Sequence, residues 1–477
     1  MIDLISTSVG GRIVACNDEF FAAAENLISP AEPVSNDDYT DRGKWMDGWE
    51  TRRRREPGHD WCLIAMGLAG RVERVVVDTS FFTGNYAESF SLEGCGDGDD
   101  DLLDRAIWEG LIPETGLSGD SRATFEVANP HRFTHLRLNI FPDGGVARLR
   151  VEGTPIPSQD QVCPDQGRAA DLLSMVVGGE ALGASDVHYS SPSNLLRPTD
   201  PAGMWDGWET KRRRGPGNDW AEFKLGMAGS LESVVIDTRH FKGNAPGWVS
   251  ISVSEDRKAW EEVLDRVPVS PHAVADLTFP APRHAGYLRI DIHPDGGLAR
   301  VRAMGRPAPE AAAGLRLEFL NSLTESVASR HFVQACSARA WVEGMVAGRP
   351  YPTVAGVHES SATRFDRLDE AGWLEAFAGH PRIGERGDET ANREQSGTET
   401  APTSTLDRLA VVNGEYEEKF GFTYIVYASG KSADEMLSLA EKRLQNSRDQ
   451  ELANAAAEQR AITATRLRHM LCEGGST

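Results

Sequence analysis

Asp47-Gly48-Trp49-Glu50-Thr51, followed by the basic run Arg52 to Arg55 and then by Asp60-Trp61, returns 159 positions later as Asp206-Gly207-Trp208-Glu209-Thr210, with Lys211 to Arg214 and Asp219-Trp220. Across the fifteen positions from Asp47 to Trp61 only three differ from their counterparts, as Arg52/Lys211, Glu56/Gly215 and His59/Asn218. Identity of that density at one fixed offset marks a duplicated structural unit.

The same offset carries Val77-Asp78-Thr79 onto Ile236-Asp237-Thr238 and Phe82-Thr83-Gly84-Asn85 onto Phe241-Lys242-Gly243-Asn244. Farther on, Pro142-Asp143-Gly144-Gly145 with Arg148 matches Pro294-Asp295-Gly296-Gly297 with Arg300 at an offset of 152, so a seven-residue length difference lies between. The Gly/Asp-rich stretch from Gly94 to Leu103 is its expected place, since insertions belong in surface loops. Upstream, Gly10-Gly11 and Asp18 pair with Gly178-Gly179 and Asp186 at an offset of 168. The units are therefore read as residues 1–160 and 170–305, each opening on a Gly-Gly turn. Beyond them 306–314, from Arg306-Pro307-Ala308-Pro309 to Gly314, reads as a Pro/Ala linker into an unrelated third segment, 315–477.

The balance of 50 Lys and Arg against 72 Asp and Glu, a net charge of -22, argues against nucleic acid or an anionic membrane as partner. A small molecule fits better, and a homo-oligomer is compatible with the composition. The first residues, Met1-Ile2-Asp3-Leu4-Ile5, lack a basic stretch leading into an apolar core, and no long apolar run occurs elsewhere, so a soluble cytoplasmic protein is expected. Six cysteines without CxxC spacing fit reduced thiols.

Within each repeat the apolar stretches are short, β-branched and bounded by Gly, Pro and Asp. They are Val72 to Asp78, Ser89 to Leu92, His135 to Phe141 and Ala147 to Val151, echoed by Leu231 to Asp237, Trp248 to Val253, Tyr287 to Ile292 and Ala299 to Met304. This pattern predicts two tandem all-β antiparallel sandwiches, packed about a pseudo-twofold axis. The third segment changes period. Leu317, Leu320, Val327, Phe332 and Val333 follow helical spacing, and Ser432 to Leu471 is rich in Ala, Glu, Leu and Arg, which predicts an all-α domain. Ser432, with Asp434 and Glu435 after it, reads as a helix start.

Each repeat gathers guanidinium and carboxylate groups in fifteen residues among Gly and Pro, a combination suited to a small polar anion. Arg53, Arg54, Arg212, Arg213 and Arg214 can fork onto a carboxylate, while Asp47, Glu50, Asp60, Asp206, Glu209 and Asp219 could hold a metal or act as acid and base. The opposing reading is a solvated face on which these charges pair with one another. Asp78 and Asp237, each before a Thr and a Phe-x-Gly-Asn turn, read as backbone caps. His293 stands where the first copy has Phe141, an asymmetry that could mark a single working copy; His240 falls in the second copy's turn.

Gly10-Gly11 with Asn17-Asp18-Glu19-Phe20-Phe21, Met46-Asp47-Gly48-Trp49-Glu50-Thr51, His59-Asp60-Trp61 and Asp237-Thr238-Arg239-His240-Phe241-Lys242-Gly243-Asn244 resemble the allantoicase family over about residues 1 to 305. The resemblance implies two jelly-roll-like sandwiches and hydrolysis of allantoate to ureidoglycolate and urea. Allantoate carries a carboxylate and two ureido groups, natural partners for arginines beside acids. A divalent cation such as Mn²⁺ is compatible with the acids.

In the third segment Ala378-Gly379-His380-Pro381-Arg382-Ile383-Gly384 ends a helical stretch, and Glu394-Gln395 follow fourteen positions after the histidine. A His held beside a proline, with a carboxylate and an amide at hand, can serve as general acid or base, or can merely cap the helix. Together with Phe332 to Tyr351 and Phe420-Gly421-Phe422, these residues resemble the ureidoimidazoline (OHCU) decarboxylase family over about residues 315 to 472. That resemblance implies cofactor-free decarboxylation of 2-oxo-4-hydroxy-4-carboxy-5-ureidoimidazoline to (S)-allantoin. It casts His380 as acid/base, Pro381 as shaping the pocket, Glu394 and Gln395 as binding the ureido and ring groups, Phe422 through Ile425 as a wall, and Arg466, or its neighbour Arg468, as the carboxylate ligand. The alternative from another class is a tandem β-sandwich ligand-binding protein with a helical adaptor domain.

Overall fold

The computed structural model describes residues 1–96, 98, 100–164, 168–383 and 402–473. In the first repeat, Ile2–Asp3 (β1), Arg12–Cys16 (β2), Asp60–Asp78 (β3), Ser89–Cys95 (β4), Glu109–Gly116 (β5), Arg122–Glu126 (β6), Arg132–Phe141 (β7) and Arg148–Pro155 (β8) form one antiparallel sheet system in the order β1-β8-β3-β7-β4-β5, with β2 and β6 also paired to β3. The 19-residue β3 does most to shape it. Its first part, from Asp60 to Ala65, pairs with β7, and its second, from Gly70 to Asp78, pairs with β8. The system thus folds over on itself along a single strand. Alternation then directs Cys62, Ile64, Val72, Val75 and Val77 inward, where they meet Trp49, Phe90, Phe133, Leu136, Leu149 and Val151 in the core.

The second repeat repeats the plan with Ala170–Asp171 (β9), Glu180–Ala184 (β10), Asp219–Asp237 (β11), Trp248–Ser254 (β12), Glu261–Pro268 (β13), Val274–His293 (β14) and Arg300–Pro307 (β15), ordered β9-β15-β11-β14-β12-β13 with β10 on β11. Here the single strand β14 takes both the β6 and β7 places along β11. The connection from Cys95 to Glu109 is seven residues longer than that from Ser254 to Glu261, which puts the length difference where the Gly/Asp-rich stretch suggested. The eight apolar stretches read from the sequence lie in strands but for Ala147 and Ala299, which stand one residue ahead of theirs.

The Gly-Gly turns have a steric cause. A Cβ on Gly11 would stand 1.7 Å from the Ile5 carbonyl oxygen, and one on Gly179 would stand 1.7 Å from that of Leu173, while Gly10 and Gly178 hold φ of 100° and 93°.

The Pro/Ala stretch is not a linker. Residues 306–307 end β15, and Pro309–Ser322 is a helix (α1) that belongs to the sandwich unit, Met1–Thr324; the helical unit begins at Glu325 and not at 315. Pro309 at the first helical turn starts the helix and the alanines sustain it, so composition alone misled. α1 docks by its cations and aromatic ring: Phe319 lies under both Arg132 and Arg316, at 5.2 and 4.1 Å from ring centroid to guanidinium, and Glu318 meets Arg71 at 3.0 Å.

The second unit comprises Glu325–Ala335 (α2), Arg339–Ala347 (α3), Val354–Phe365 (α4), Glu370–Ala378 (α5), Thr403–Phe420 (α6), Ala433–Arg443 (α7) and Arg448–Met470 (α8). α8 packs against α2, α4, α5 and α6. Ser432 caps α7 in a reciprocal capping box with Glu435, as its sequence indicated. No helix among the described residues is long and apolar enough to cross a membrane. Cys16, Cys62, Cys95 and Cys336 are free thiols; Cys163 and Cys472 are not, which corrects the expectation for those two.

Candidate active sites

Much of the duplicated motif builds the scaffold. Trp49 and Trp208 are fully buried, and each indole N–H donates to a backbone carbonyl, of Asp18 at 2.8 Å and Asp186 at 2.9 Å. A Cβ on Gly48 or Gly207 would collide with the carbonyl of Val146 or Leu298, at 2.6 and 2.3 Å. Asp47 accepts from buried Arg148 at 2.8 Å and from the Val34 N–H at 2.8 Å; Asp206 accepts from Arg300 at 2.6 Å and from the Ala202 N–H at 3.0 Å. These two acids lock an arginine into the sandwich and have little left for a ligand. Asp78 and Asp237 cap their turns, taking the N–H of Ser80 and of Arg239, each at 2.8 Å.

What remains gathers at one end of each sandwich, where β3 or β11 starts. In the first copy buried Asp60 accepts from Arg54 Nη1 at 2.6 Å and from Asn17 Nδ2 at 2.9 Å, and the Arg54 N–H donates to Asp143 at 2.8 Å. In the second, Asp219 accepts from Arg213 and, at 2.9 Å, from Ser185 Oγ, while the Arg213 N–H donates to Asp295 at 2.6 Å. Thr51 and Thr210 pin the Pro-Asp-Gly-Gly turns, each accepting a glycine N–H, of Gly144 or Gly296, at 3.1 Å. Arg54 Nε, Asp60 Oδ2 and Arg213 Nε are buried without a hydrogen-bond partner, so the guanidinium–carboxylate pairs are not saturated.

A glutamate in each copy, Glu50 or Glu209, pairs through its short strand with Gly145 or Gly297, in the same Pro-Asp-Gly-Gly turn whose Asp143 or Asp295 takes the Arg54 or Arg213 N–H. Glu50 is half-buried and its carboxylate accepts from Asn85 Nδ2 at 2.8 Å; Glu209 accepts from Asn244 Nδ2 at 2.6 Å. Burial pushes the Glu50 carboxyl above its usual range, against the Asn85 hydrogen bond. Arg53, named from sequence, is exposed, and its neighbour Arg54 is the one turned to the acid. The two candidates chosen by sequence, Arg53 and Arg213, are thus not equivalent positions, whereas Arg54 and Arg213 are.

The histidines divide. His293 adjoins the end of the second sandwich through the Asp219 N–H, which donates to the Pro294 carbonyl at 3.1 Å. Its Nε2 lies 3.0 Å from Ser250 Oγ, and burial and then Arg266 hold its ring below the usual pKa. His59 packs on Phe141 in the first copy, with centroids 4.8 Å apart, so each copy keeps one imidazole next to the residue before its Pro-Asp-Gly-Gly turn or at that residue. His240 holds a φ of 71° in its turn and bonds the Pro201 carbonyl at 2.9 Å; none of its bonds reaches Asp219. Among the described residues no group of three or more His, Cys, Asp or Glu is arranged to hold a metal ion. The acids at the sandwich ends are engaged by arginines instead, Asp60 and Asp219 by Arg54 and Arg213, and Asp47 and Asp206 by Arg148 and Arg300.

In the helical unit a small recess, with a cavity volume of about 20 Å³, is lined by His380, Pro381 and Ile383 on one side, Tyr424 to Ser429 on the other and Ile462 of α8. α5 ends at Ala378, and the His380 N–H closes the last turn on the Phe377 carbonyl at 3.1 Å, which places His380 and Pro381 at the rim. Ile425 lines the recess. Phe422 packs behind it, its ring 5.3 Å from that of Phe377. Arg466 lies one turn beyond Ile462 on α8 and donates to the Gln334 carbonyl at 3.2 Å, outside the lining. Glu394 and Gln395 lie outside the described residues. Tyr424 falls within the wall expected from Phe422 to Ile425, whereas sequence reasoning missed Tyr427 and Ile462.

The molecule is thus a tandem-repeat antiparallel β-sandwich protein with a guanidinium–carboxylate pair and a glutamate at the end of each copy, joined in sequence to an all-α unit with a histidine-rimmed recess. A family model described as allantoicase repeat matches residues 2–156 and 170–308, and one described as OHCU decarboxylase matches residues 321–468. The chain belongs to the allantoicase family and carries an OHCU decarboxylase domain. Probable allantoicases from Acinetobacter baylyi and Pseudomonas paraeruginosa are 41% and 42% identical over 320 residues, 64% of this chain and 94% and 96% of theirs. The crystal structure of allantoicase from Saccharomyces cerevisiae, 34% identical, superposes on 64% of this chain and 92% of its own with a TM-score of 0.54.

Proposed function

We propose that the chain is a fused enzyme of urate and allantoin catabolism, acting on small ureides in the cytoplasm. Its sandwich half hydrolyses allantoate to ureidoglycolate and urea, and its helical half decarboxylates 2-oxo-4-hydroxy-4-carboxy-5-ureidoimidazoline to (S)-allantoin. The two steps are not consecutive, because opening of the allantoin ring lies between them.

The observation that carries the first activity is the recurrence, in both copies, of an Arg–Asp pair with a buried carboxylate (Arg54–Asp60, Arg213–Asp219) and a half-buried glutamate (Glu50, Glu209) attached to one Pro-Asp-Gly-Gly turn. In this reading the guanidinium takes the substrate carboxylate while Asp60 or Asp219 holds it in place. The desolvated glutamate removes a proton from the water that attacks, and the leaving ureido nitrogen is protonated as urea departs. For the second activity the support is the recess rimmed by His380 and Pro381. A histidine there can protonate on one face the carbanion left by carbon dioxide loss, which fixes the configuration of the product.

Urea release from allantoate by the purified chain, with and without Mn²⁺ after chelation, tests the first half. Release by the chelated sample supports the metal-free reading, release only with Mn²⁺ overturns that part of it, and none from folded protein removes the hydrolase. Carbon dioxide release from freshly generated ureidoimidazoline tests the second half in the same way.

A further inference from the structure

The wall of the recess, from Thr423 to Ala428, has no regular secondary structure, so its backbone polar groups lack a helix or sheet ladder. Side chains take over. Arg443 Nη1 donates to the Ile425 carbonyl at 2.9 Å, the Tyr427 N–H donates to Glu458 Oε2 at 2.8 Å, and Lys431 Nζ donates to the Tyr427 carbonyl at 2.6 Å. Two of these anchors share one base: Glu458 lies seven residues after Glu451 on α8, two turns along the same face.

Glu451 is fully buried and its carboxylate is filled from within the unit. Oε1 accepts from Arg443 Nε at 2.6 Å and from the Tyr416 hydroxyl, and Oε2 accepts from Asn446 at 2.6 Å and Asn454 at 3.3 Å. Arg443 continues the buried stripe of α7 after Met436 and Ala440, in a position where an apolar side chain would pack. Burying such a pair costs desolvation that its attraction barely offsets, so stability gives it little reason to be there. The donor that Arg443 points away from the pair goes to the pocket wall.

We propose that Arg443 and Glu451, with Glu458, are positioning residues for the decarboxylase recess, fixing Ile425 and Tyr427 as its wall. This rests on the decarboxylase reading of that recess. The test uses the full chain, with Arg443→Met combined with Glu451→Leu, and separately Glu458→Ala and Glu458→Gln. Hydrogen exchange over residues 422–429 is followed alongside both turnovers. In the double variant the unit stays folded, exchange over 422–429 rises at least tenfold while that of α8 holds, decarboxylation kcat drops at least tenfold and urea release is unchanged. Glu458→Ala moves the same segment in the same direction, and Glu458→Gln, which keeps an acceptor for the Tyr427 N–H, restores it. Unchanged exchange and kcat in a folded double variant and in Glu458→Ala overturn the proposal. A wild-type chain that releases no carbon dioxide removes the decarboxylase reading, and the exchange data then decide the positioning role on their own.

Discussion

Arg54 Nη1 and Asp60 Oδ1 lie 2.6 Å apart with the carboxylate 2% exposed, and Arg213 makes the same contact to Asp219 in the second copy. The carboxylate is out of water and depends on its guanidinium. Arg54→Ala should therefore destabilise the sandwich unit by about 3–5 kcal/mol, because it strands a buried charge. Replacing both, as Arg54→Met with Asp60→Leu, should recover most of that stability yet leave the first copy unable to hold a carboxylate. Thermal unfolding and urea release measured on both variants check this; a double variant with full urea release at low allantoate would separate the pair from substrate binding in that copy.

Glu50 and Glu209 are bound by a neutral asparagine and not by an arginine, so their charge is not spent on an ion pair. A glutamate acting as general base works deprotonated, so activity falls as pH drops through its pKa. Because burial raises the Glu50 carboxyl, the acid limb should lie above the ordinary glutamate value of about 4.3. Glu50→Gln and Glu209→Gln should each lower turnover at their own copy by about 10²–10⁴-fold. Comparable losses of about half the total activity in the two single variants mean that both copies work, and a near-total loss in one assigns catalysis to it. Full activity in the double variant would rule the glutamates out.

Much of this was legible in the sequence because duplication supplies its own control. Positions held in both copies had to serve the fold or a shared site, and the strands, the loop length difference and the Asp78 and Asp237 caps follow from local chemistry. The choice between Arg53 and Arg54 was not legible, since neighbours in a basic run differ only in which way an irregular backbone turns them. Nor was the role of Asp47 and Asp206, whose partners Arg148 and Arg300 lie 101 and 94 residues away in sequence. α1 was misread because Pro and Ala serve linkers and helix starts alike. Arg443 and Glu451 did leave a signal, as charges on stripes otherwise apolar, which would have flagged a buried pair.

The close approach at Gly11 and Gly179 gives a stability prediction confined to backbone. Gly11→Ala places a methyl 1.7 Å from the Ile5 carbonyl oxygen, so the entry to the sandwich must move, at a cost of about 3 kcal/mol or more. Gly84→Ala, where a Cβ meets nothing within 4 Å, should stay within about 0.5 kcal/mol of the parent. Equal midpoints for the two variants in thermal unfolding would show that the Gly-Gly turn relaxes freely.

Asp3 ties the first strand down, accepting the N–H of Val151 at 3.1 Å and of Ile5 at 3.4 Å, with Arg150 3.8 Å away. Burial nonetheless dominates and pushes its carboxyl up to about 6, while those partners oppose the shift. The folded chain then holds this proton more tightly than the unfolded one, where an aspartate titrates near 3.9. Stability is therefore lost as pH rises through about 6 and regained as pH falls from there toward 4, the reverse of a salt-bridged aspartate. Asp3→Asn keeps the acceptor oxygen and removes the charge, so it should stabilise the sandwich unit at pH 7.5 by about 1–3 kcal/mol, toward the lower end because the side chain retains 21% exposure. At pH 4 the variant and parent should unfold together. Asp171, the equivalent residue in the second copy, is raised in the same direction by burial, so Asp171→Asn should show the same sign and the double variant a larger gain. A parent whose unfolding midpoint rises steadily from pH 5 to 8, with no gain on either substitution, would mean that both carboxylates are ionised and well paired in the fold.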